Sequence, residues 1–244
     1  MRRPRIYTGQ PLGAHESIGL EPDAGHHVAR VLRKRVGDEL VLFNGHGGQY
    51  PATISAVDRA SVIVTTGDLD PIEVESPLGL TLGIALSRGE RMDWIVQKAT
   101  ELGVHSIAPL VSERTEVRLR GERQDKKRRH WQQVAIGACE QCGRNRLPGI
   151  EPLQPLAQWI RQVKAEVRLV LHHRAGSQHH SAAKPASAAL LIGPEGGLSS
   201  AEIEAAVGAG FSPLQLGPRV LRTETAPLAA IAILQARWGD MVAG

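Results

Sequence analysis

The hydrophobic pattern changes its period once along the chain, which predicts two domains. Between residues 38 and 66, apolar and polar positions alternate and β-branched residues are frequent, so three short antiparallel strands are expected. Residues 40–43 run into Asn44-Gly45, a pair typical of a tight hairpin. We therefore predict a small antiparallel barrel over residues 1–70. Residues 68–77, which contain two prolines and four acids, form the predicted linker.

After the linker, apolar runs of strand length alternate with a helical pattern. Residues 78–87 form an apolar strand, residues 91–102 have the pattern of a helix that ends at Gly103, and residues 106–111 form the next strand. A strand, a helix and a second strand in this order predict a parallel sheet covered by helices. We therefore expect a second domain, of the α/β class, over residues 76–244.

Two further apolar segments each end in a Gly-Pro loop that leads into a helix. The first loop is residues 193–197 (Gly-Pro-Glu-Gly-Gly), after which Ser199 and Glu202 have the spacing of a capping box. The second loop begins with Gly217-Pro218, directly after a strand predicted at residues 214–216. Glycines let main-chain N–H groups approach a ligand, and a helix start attracts negative charge. Since ligands bind beyond the carboxyl ends of parallel strands, the pattern suits a nucleotide-like cofactor, with a tight turn without a ligand as the alternative.

These loops closely resemble the cofactor loops of the SPOUT methyltransferases, and more narrowly those of the ribosomal small-subunit methyltransferase E family. The resemblance is carried by residues 192–197 (Ile-Gly-Pro-Glu-Gly-Gly), 216–225 (Leu-Gly-Pro-Arg-Val-Leu-Arg-Thr-Glu-Thr), 4–7, 97–103 and 138–146. It implies a C-terminal α/β-knot domain with a parallel sheet and a trefoil knot, and a smaller N-terminal PUA-like antiparallel β-barrel that holds RNA. It also implies a homodimer that methylates uridine N3 in 16S ribosomal RNA, with S-adenosyl-L-methionine (SAM) as the cofactor.

The resemblance assigns the cofactor site to the two Gly-Pro loops and to the end of a strand predicted at residues 167–171. The residues expected to contact SAM are Leu171, His172, Ile192, Gly193, Pro194, Gly196, Gly197, Leu216, Gly217, Leu221, Thr223 and Ala226. On its own, the pair His172-His173 would also suit a metal ligand or a general base. The implied reaction requires no metal.

Methylation at uridine N3 requires the loss of a proton that is mostly bound at neutral pH. Arg222 is the candidate to stabilise negative charge on a uracil oxygen. Glu195 and Glu224 are candidates for the proton acceptor, although either can instead bind the cofactor or cap a helix. The alternatives to this function are a 2′-O-ribose methyltransferase of the same superfamily and a non-catalytic rRNA-binding assembly factor. The intact glycine loops and residues 139–144 favour base methylation.

The charge distribution permits binding to RNA. The chain has 29 Lys+Arg against 25 Asp+Glu, a net charge of +4 and a pI of about 9.4. The predicted RNA contacts come from basic stretches and are Arg2, Arg5, Arg30, Arg33, Arg114, Arg144 and Arg146. A solvated surface is the alternative for these stretches. Aromatic residues make up only 3%, which argues against an RNA-recognition sheet built on paired aromatics.

The remaining features narrow the class of protein. Cys139 and Cys142 are expected to be reduced structural thiols, with a redox pair or half of a zinc site as the alternatives. No apolar stretch reaches transmembrane length and no run of signal-peptide type leads the chain, so a cytoplasmic protein is expected. Residues 226–236 are apolar on nearly all faces, which predicts a helix buried on both sides and thus a subunit interface.

Overall fold

The chain forms two units, each assembled from separate parts of the sequence. The computed structural model describes residues 3–58, 61–172 and 184–241. The first unit combines Met1–Glu75 with Cys139–Leu147, and the second combines Ser76–Ala138 with Pro148–Gly244. The change of unit after Glu75 falls in the predicted linker. Residues 139–147, which lie within the predicted α/β domain, pack with the first unit.

A five-stranded sheet builds the first unit, in the order β1-β3-β4-β5-β2. Its strands are β1 (Arg5–Tyr7), β2 (Ser17–Gly19), β3 (Glu39–Phe43), β4 (Tyr50–Val57) and β5 (Val62–Thr66). β3, β4 and β5 are the three predicted strands and pair antiparallel, whereas β1 pairs parallel with β3. A short helix, α1 (Pro22–His26), continues into a π-helical turn (His27–Val31). The alternating pattern buries Leu40, Leu42, Ile54 and Val64 in one cluster.

The connection between β3 and β4 is longer than the predicted tight hairpin. Leu42 pairs with Tyr50, so residues 44–49 form a six-residue loop rather than a two-residue turn at Asn44-Gly45. Gly45 has a φ of 84°, and it and His46 make isolated β-bridges to Arg146. The predicted hairpin is confirmed, because β3 and β4 are consecutive and antiparallel, and its loop is longer than two residues because it also pairs with Arg146.

A parallel sheet builds the second unit, as predicted, in the order β12-β10-β11-β6-β7-β8, with β9 also paired to β7. Its strands are β6 (Gly79–Ala85), β7 (Ser106–Val111), β8 (Gly149–Ile150), β9 (Gln154–Pro155), β10 (Val167–Leu171), β11 (Ser187–Ile192) and β12 (Ser212–Leu214). The helices are α2 (Arg91–Glu101), α3 (Glu122–Cys142), α4 (Leu156–Gln162), α5 (Ser200–Gly208) and α6 (Thr225–Trp238). Within the described ranges, none of the helices is long and apolar enough to cross a membrane.

Apolar side chains cover both faces of the parallel sheet, which explains the nearly continuous apolar runs of β6 and β11. One cluster joins the sheet to α2 and α6, and the other joins it to α4 and α5. Gly83 in β6 is required by this packing. A Cβ atom there would lie 2.4 Å from the ring of Trp159.

The last strands place the glycine loops at one edge of the sheet. β10 lies between β11 and β12, so the carboxyl ends of these three strands are neighbours. β12 ends at Leu214, two residues before the predicted end of this strand, so Leu216 lies outside it. The trefoil knot implied by the resemblance stays a prediction, since strand order alone does not define threading.

Candidate functional site

A cavity of about 480 Å³ lies where the carboxyl ends of β10 and β11 meet the two Gly-Pro loops. This volume is in the range of roughly 300–1,000 Å³ that is typical of small-molecule sites. All twelve residues predicted to contact the cofactor line it: Leu171, His172, Ile192, Gly193, Pro194, Gly196, Gly197, Leu216, Gly217, Leu221, Thr223 and Ala226. The sheet therefore brings together residues from three separate parts of the sequence.

The first loop, residues 193–197, is a tight turn between β11 and α5. The Gly197 N–H donates to the Pro194 carbonyl at 2.8 Å, and Gly197 has a φ of 66°. A Cβ on Gly193 would lie 2.8 Å from the Leu198 nitrogen, so only glycine allows this fold of the loop. The predicted capping box is confirmed, because Ser199 and Glu202 each accept the other's main-chain N–H. The start of α5 thus lies at the cavity, where Ser200 lines it.

Other elements hold the first loop from outside. Arg114, which follows β7, donates through Nη1 to the Gly196 carbonyl at 2.8 Å and lines the cavity. Glu202 accepts a further hydrogen bond from the Glu113 N–H at 2.8 Å. The contact of Arg114 in the structure is thus with the loop itself, which differs from the RNA contact predicted for it.

The second loop, residues 215–224, makes fewer of the described hydrogen bonds to other elements than the first loop does. Gly217 has a φ of 110°, and a Cβ there would meet no atom within 4 Å. The loop ends where the N–H groups of Thr225 and Ala226 both donate to the Arg222 carbonyl at 2.9 Å, which begins α6. The main chain at Gly217 is therefore open to a ligand.

The three candidate catalytic residues lie around the cavity, in different environments. Arg222 is exposed and does not itself line the cavity, although Leu221 and Thr223 on either side do. Glu195 lines the cavity and accepts hydrogen bonds from the Arg88 N–H at 3.0 Å and from Arg91 Nη1 at 2.7 Å. Glu224 lies 3.4 Å from Arg91 Nε.

The environment of Glu195 makes it a poor proton acceptor. Partial burial acts to raise the pKa of its carboxyl, but the N–H of Arg88, its own N–H and the guanidinium of Arg91 outweigh this and lower the pKa. A carboxylate that holds protons weakly is a weaker base toward uridine N3. We therefore no longer favour Glu195 as the base.

Arg91 is a residue next to this site that the sequence did not indicate. It begins α2, after the turn that follows β6. The position of Arg91 in the sequence could have indicated its role, because β6 belongs to the same parallel sheet and the carboxyl end of β6 points to the same edge. The cavity lining also includes Leu198, Ile203, Arg219 and Val220, which were not predicted.

The predicted RNA contacts fall into different environments in the first unit. Arg30 and Arg33 are exposed, and in the described part of the chain neither forms an ion pair. Arg146 is also exposed, with Nε 3.8 Å from Glu73 Oε1. Arg2 lies outside the described residues.

The side chain of Arg144, which was predicted to contact RNA, is buried in the structure and pairs with a carboxylate. Only 3% of Arg144 is exposed, and its Nη2 lies 2.6 Å from Glu75 Oε2. Burial alone would lower the pKa of Arg144, but the hydrogen bond and charge of Glu75 raise it. The sequence did not indicate this pairing, because Glu73 and Glu75 of the linker are distant in sequence from Arg144 and Arg146.

Arg5 takes part in the same buried network. Its Nη2 donates to Asn145 Oδ1 at 2.6 Å and to the Arg144 carbonyl at 3.1 Å, and Nη1 bonds to Gln49. Its guanidinium carbon also lies 4.8 Å above the centre of the Phe43 ring. These contacts join β1 to residues 144–145 within the first unit and leave Arg5 little freedom to contact a phosphate.

Chemistry based on thiols or metals has little support here. Cys139 and Cys142 form no disulfide, and a hydrogen bond between them, together with burial, raises the pKa of Cys139. A thiol of this kind is unreactive at neutral pH. Over residues 3–58, 61–172 and 184–241, no group of three or more His, Cys, Asp or Glu side chains could hold a metal ion. His173 lies outside these ranges.

Comparisons with known proteins agree with this geometry. A family model described as RNA methyltransferase domain matches residues 74–235, and one described as RNA methyltransferase PUA domain matches residues 20–66. The chain is 35% identical to the ribosomal RNA small subunit methyltransferase E of Buchnera aphidicola, over 98% of each chain. The structure is similar to the Neisseria gonorrhoeae protein of that name bound to S-adenosyl methionine, with a TM-score of 0.92, 35% identity and coverage of 99% and 100%. It is also similar to a Legionella pneumophila protein described as a methyltransferase and solved with bound SAM, with a TM-score of 0.95, 43% identity and the same coverage.

Proposed function

Because the chain belongs to the ribosomal RNA small subunit methyltransferase E family, we propose that it transfers the methyl group of SAM to N3 of a uridine in 16S ribosomal RNA. The observation that carries this proposal is that the twelve residues predicted to contact the cofactor line one cavity. Similar proteins, at 43% and 35% identity, hold SAM in their solved structures. Since ribosomal RNA is the proposed substrate, we expect the reaction to take place in the cytoplasm.

The residues present fit the cofactor. Gly217 leaves open space beside its main chain, and Leu171, Ile192 and Leu216 offer apolar walls to a flat base. The beginning of α5 lies at the same cavity and presents main-chain N–H groups to polar parts of a ligand. When bound, SAM supplies a methyl group on a positively charged sulfur.

The protein's part in the reaction is to position the uridine and to handle its proton. In the proposed step, uridine N3 forms a bond to the methyl carbon, the bond from carbon to sulfur breaks, and S-adenosylhomocysteine leaves as a neutral thioether. The N3 proton passes to a base, and Arg222 stabilises the negative charge that develops on a uracil oxygen. Of the two predicted acceptors, Glu224 is the one we retain. Its contact with Arg91 is longer than that of Glu195, 3.4 Å against 2.7 Å.

One experiment separates this function from its rivals. Undermodified small-subunit rRNA is incubated with the protein and isotopically labelled SAM, and its nucleosides are then analysed by mass spectrometry. Label in 3-methyluridine supports the proposal, and label in a 2′-O-methylated nucleoside supports ribose methylation. Binding of rRNA without label in any nucleoside, from both free rRNA and assembled subunits, supports a non-catalytic assembly factor.

Cofactor binding is expected to depend on Gly193. Gly193→Ala puts a Cβ 2.8 Å from the Leu198 nitrogen, and relieving such overlap costs about 1–3 kcal/mol. We expect SAM affinity, measured by calorimetry, to fall by about 10- to 100-fold while the protein stays folded. Gly208→Ala is the control, because a Cβ at Gly208 meets no atom within 4 Å and lies outside the cavity. Equal affinity of the two variants would contradict the role of the loop.

RNA binding by the first unit is expected to involve Arg30 and Arg33. If each contacts a phosphate, the double alanine variant should weaken rRNA binding and reduce the salt slope by about 0.7–0.9 for each phosphate that is no longer neutralised. Arg161→Ala, which removes one exposed arginine of α4, is the control of equal charge for each single variant, Arg30→Ala and Arg33→Ala. If the salt slope of the double variant equals that of the wild type, the two arginines do not contact phosphates and belong to a solvated surface.

We also propose a homodimer in which α6 contributes to the interface. One face of α6 is buried in the protein's own core by Ala230, Ile231 and Leu234, whereas Ile233 on the other face is 49% exposed. Ile233→Asp should therefore shift the mass measured by light scattering from dimer to monomer without unfolding the chain. Val207→Asp in α5 is the control, because Val207 is 46% exposed on a different helix. A wild-type monomer at micromolar concentration would contradict the dimer.

A further inference from the structure

One guanidinium group in the second unit contacts both glycine loops. Nη1 of Arg91 lies 2.7 Å from Glu195 Oε1 in the first loop. Nε of the same side chain lies 3.4 Å from Glu224 Oε2 at the end of the second loop. Arg91 is anchored at the first turn of α2, whose next residue, Met92, is buried in the core.

We propose that Arg91 is a positioning residue that fixes the separation of the two loops and thereby the width of the cofactor cavity between them. The inference rests on the proposed function only for the identity of the ligand. Arg91 itself does not line the cavity, so it acts through the loops that do.

The few other ties of the second loop support this role. In the described part of the chain, the pair of Arg91 with Glu224 is the one polar side-chain contact that joins residues 217–224 to another element. The side chain of Glu224 is only 26% exposed, so the pair is partly shielded from water.

The first loop has additional support, so the two loops depend on Arg91 to different degrees. Glu195 also accepts the Arg88 N–H at 3.0 Å, and Arg114 holds the Gly196 carbonyl. Removing the Arg91 guanidinium should therefore loosen the second loop more than the first. This asymmetry is specific to the proposed bridge and would not follow from general destabilisation.

The geometry also requires arginine rather than any cation. Two different nitrogen atoms of one planar group point to carboxylates in different loops. A lysine has a single ammonium on a flexible stem and cannot present two fixed donors in this way. We expect Arg91→Lys to keep the contact with Glu195 and to remove most of the coupling to Glu224.

The test compares Arg91→Gln, Arg91→Lys, Glu224→Gln and the double variant Arg91→Gln/Glu224→Gln in the full chain without ligand. Hydrogen exchange is measured at Gly197 in the first loop, and at Thr225 and Ala226, whose N–H groups close the second loop. In Arg91→Gln, exchange at Thr225 and Ala226 should rise about three- to tenfold, and exchange at Gly197 should rise less. In the double variant, exchange at Thr225 and Ala226 should be no faster than in the single variant that exchanges faster.

The matched control is Lys98→Gln, which removes an ion pair to Glu101 on the same helix without touching either loop. Calorimetry with SAM should show the dissociation constant rising about three- to tenfold for Arg91→Gln and staying unchanged for Lys98→Gln. Unchanged loop exchange in Arg91→Gln would overturn the proposal, and so would faster exchange spread evenly over β6, α2 and α6. If wild-type protein does not bind SAM, the proposed function fails, while the exchange result still decides whether Arg91 holds the loops.

Discussion

Replacing Arg222 by alanine is expected to slow the single-turnover transfer of the methyl group by roughly ten- to a thousandfold. The upper end is the effect typical of removing one donor to a developing oxyanion. Arg222 is exposed between two residues that line the cavity, and no described carboxylate pairs with its guanidinium. Its charge is therefore available to a substrate. The measurement is a quenched reaction with enzyme in excess over rRNA and with saturating SAM.

The binding measurements distinguish this role from others. The carbonyl of Arg222 begins α6, and alanine provides the same carbonyl, so the loop should keep its shape and SAM affinity should not change. Binding to rRNA and its salt slope should also change little, as in the control Arg161→Ala. A fall in SAM affinity would make Arg222 a structural residue of the second loop. A fall in rRNA affinity at an unchanged rate would make it a phosphate-binding residue.

Replacing Arg144 by alanine is expected to destabilise the first unit by about 3–5 kcal/mol, because the Glu75 carboxylate would be left without its partner in a largely buried position. The side chains of Arg144 and Glu75 are only 4% and 20% exposed. A change of this size is a large part of the roughly 5–15 kcal/mol that stabilises a typical domain. Since the chain has two units, the effect is best measured by hydrogen exchange in β3, β4 and β5 rather than by one global transition.

Arg146→Ala is the matched control, since the same loop carries both arginines. The side chain of Arg146 is 55% exposed and 3.8 Å from Glu73, and such surface pairs contribute at most about 1 kcal/mol. Replacing both members of the buried pair, with Arg144→Met and Glu75→Met, should recover much of the stability that Arg144→Ala removes. Equal stability of Arg144→Ala and Arg146→Ala would show that the buried pair contributes no more to stability than the exposed pair.

The sequence predicted elements well where the signal is local. The capping box at Ser199 and Glu202, the strands at residues 106–111 and 167–171, and the helix closed before Gly103 all match the structure. Each depends on residues within a few positions of one another. The resemblance to known loops added what local patterns do not carry, namely that residues from β10, β11 and the second loop line one cavity.

The features that the sequence did not indicate share one cause, which is pairing between residues that are distant along the chain. The basic stretch at residues 144–146 has no neutralising acids nearby in sequence, because its partners Glu73 and Glu75 lie far away along the chain. The predicted hairpin after Phe43 is present, but its loop is longer than a two-residue turn because it pairs with Arg146. Arg91 was overlooked because its carboxylate partners belong to loops more than a hundred residues further along the chain. A charge in isolation thus says little about whether it is free for a ligand.

The split composition of the first unit has a consequence for the order in which the chain folds during synthesis. Arg5, Tyr7 and Glu75 are made early, but they bond to Asn145, Glu140 and Arg144, which are made only after residues 76–138 of the second unit. At roughly 5–20 residues per second, the nascent β-sheet waits several seconds for these partners. Although most of its residues come first in the sequence, the N-terminal unit cannot finish folding until residue 147 has been made. Until then, the polar network of the first unit is incomplete, and the unit is exposed to the chaperones and proteases of the cell.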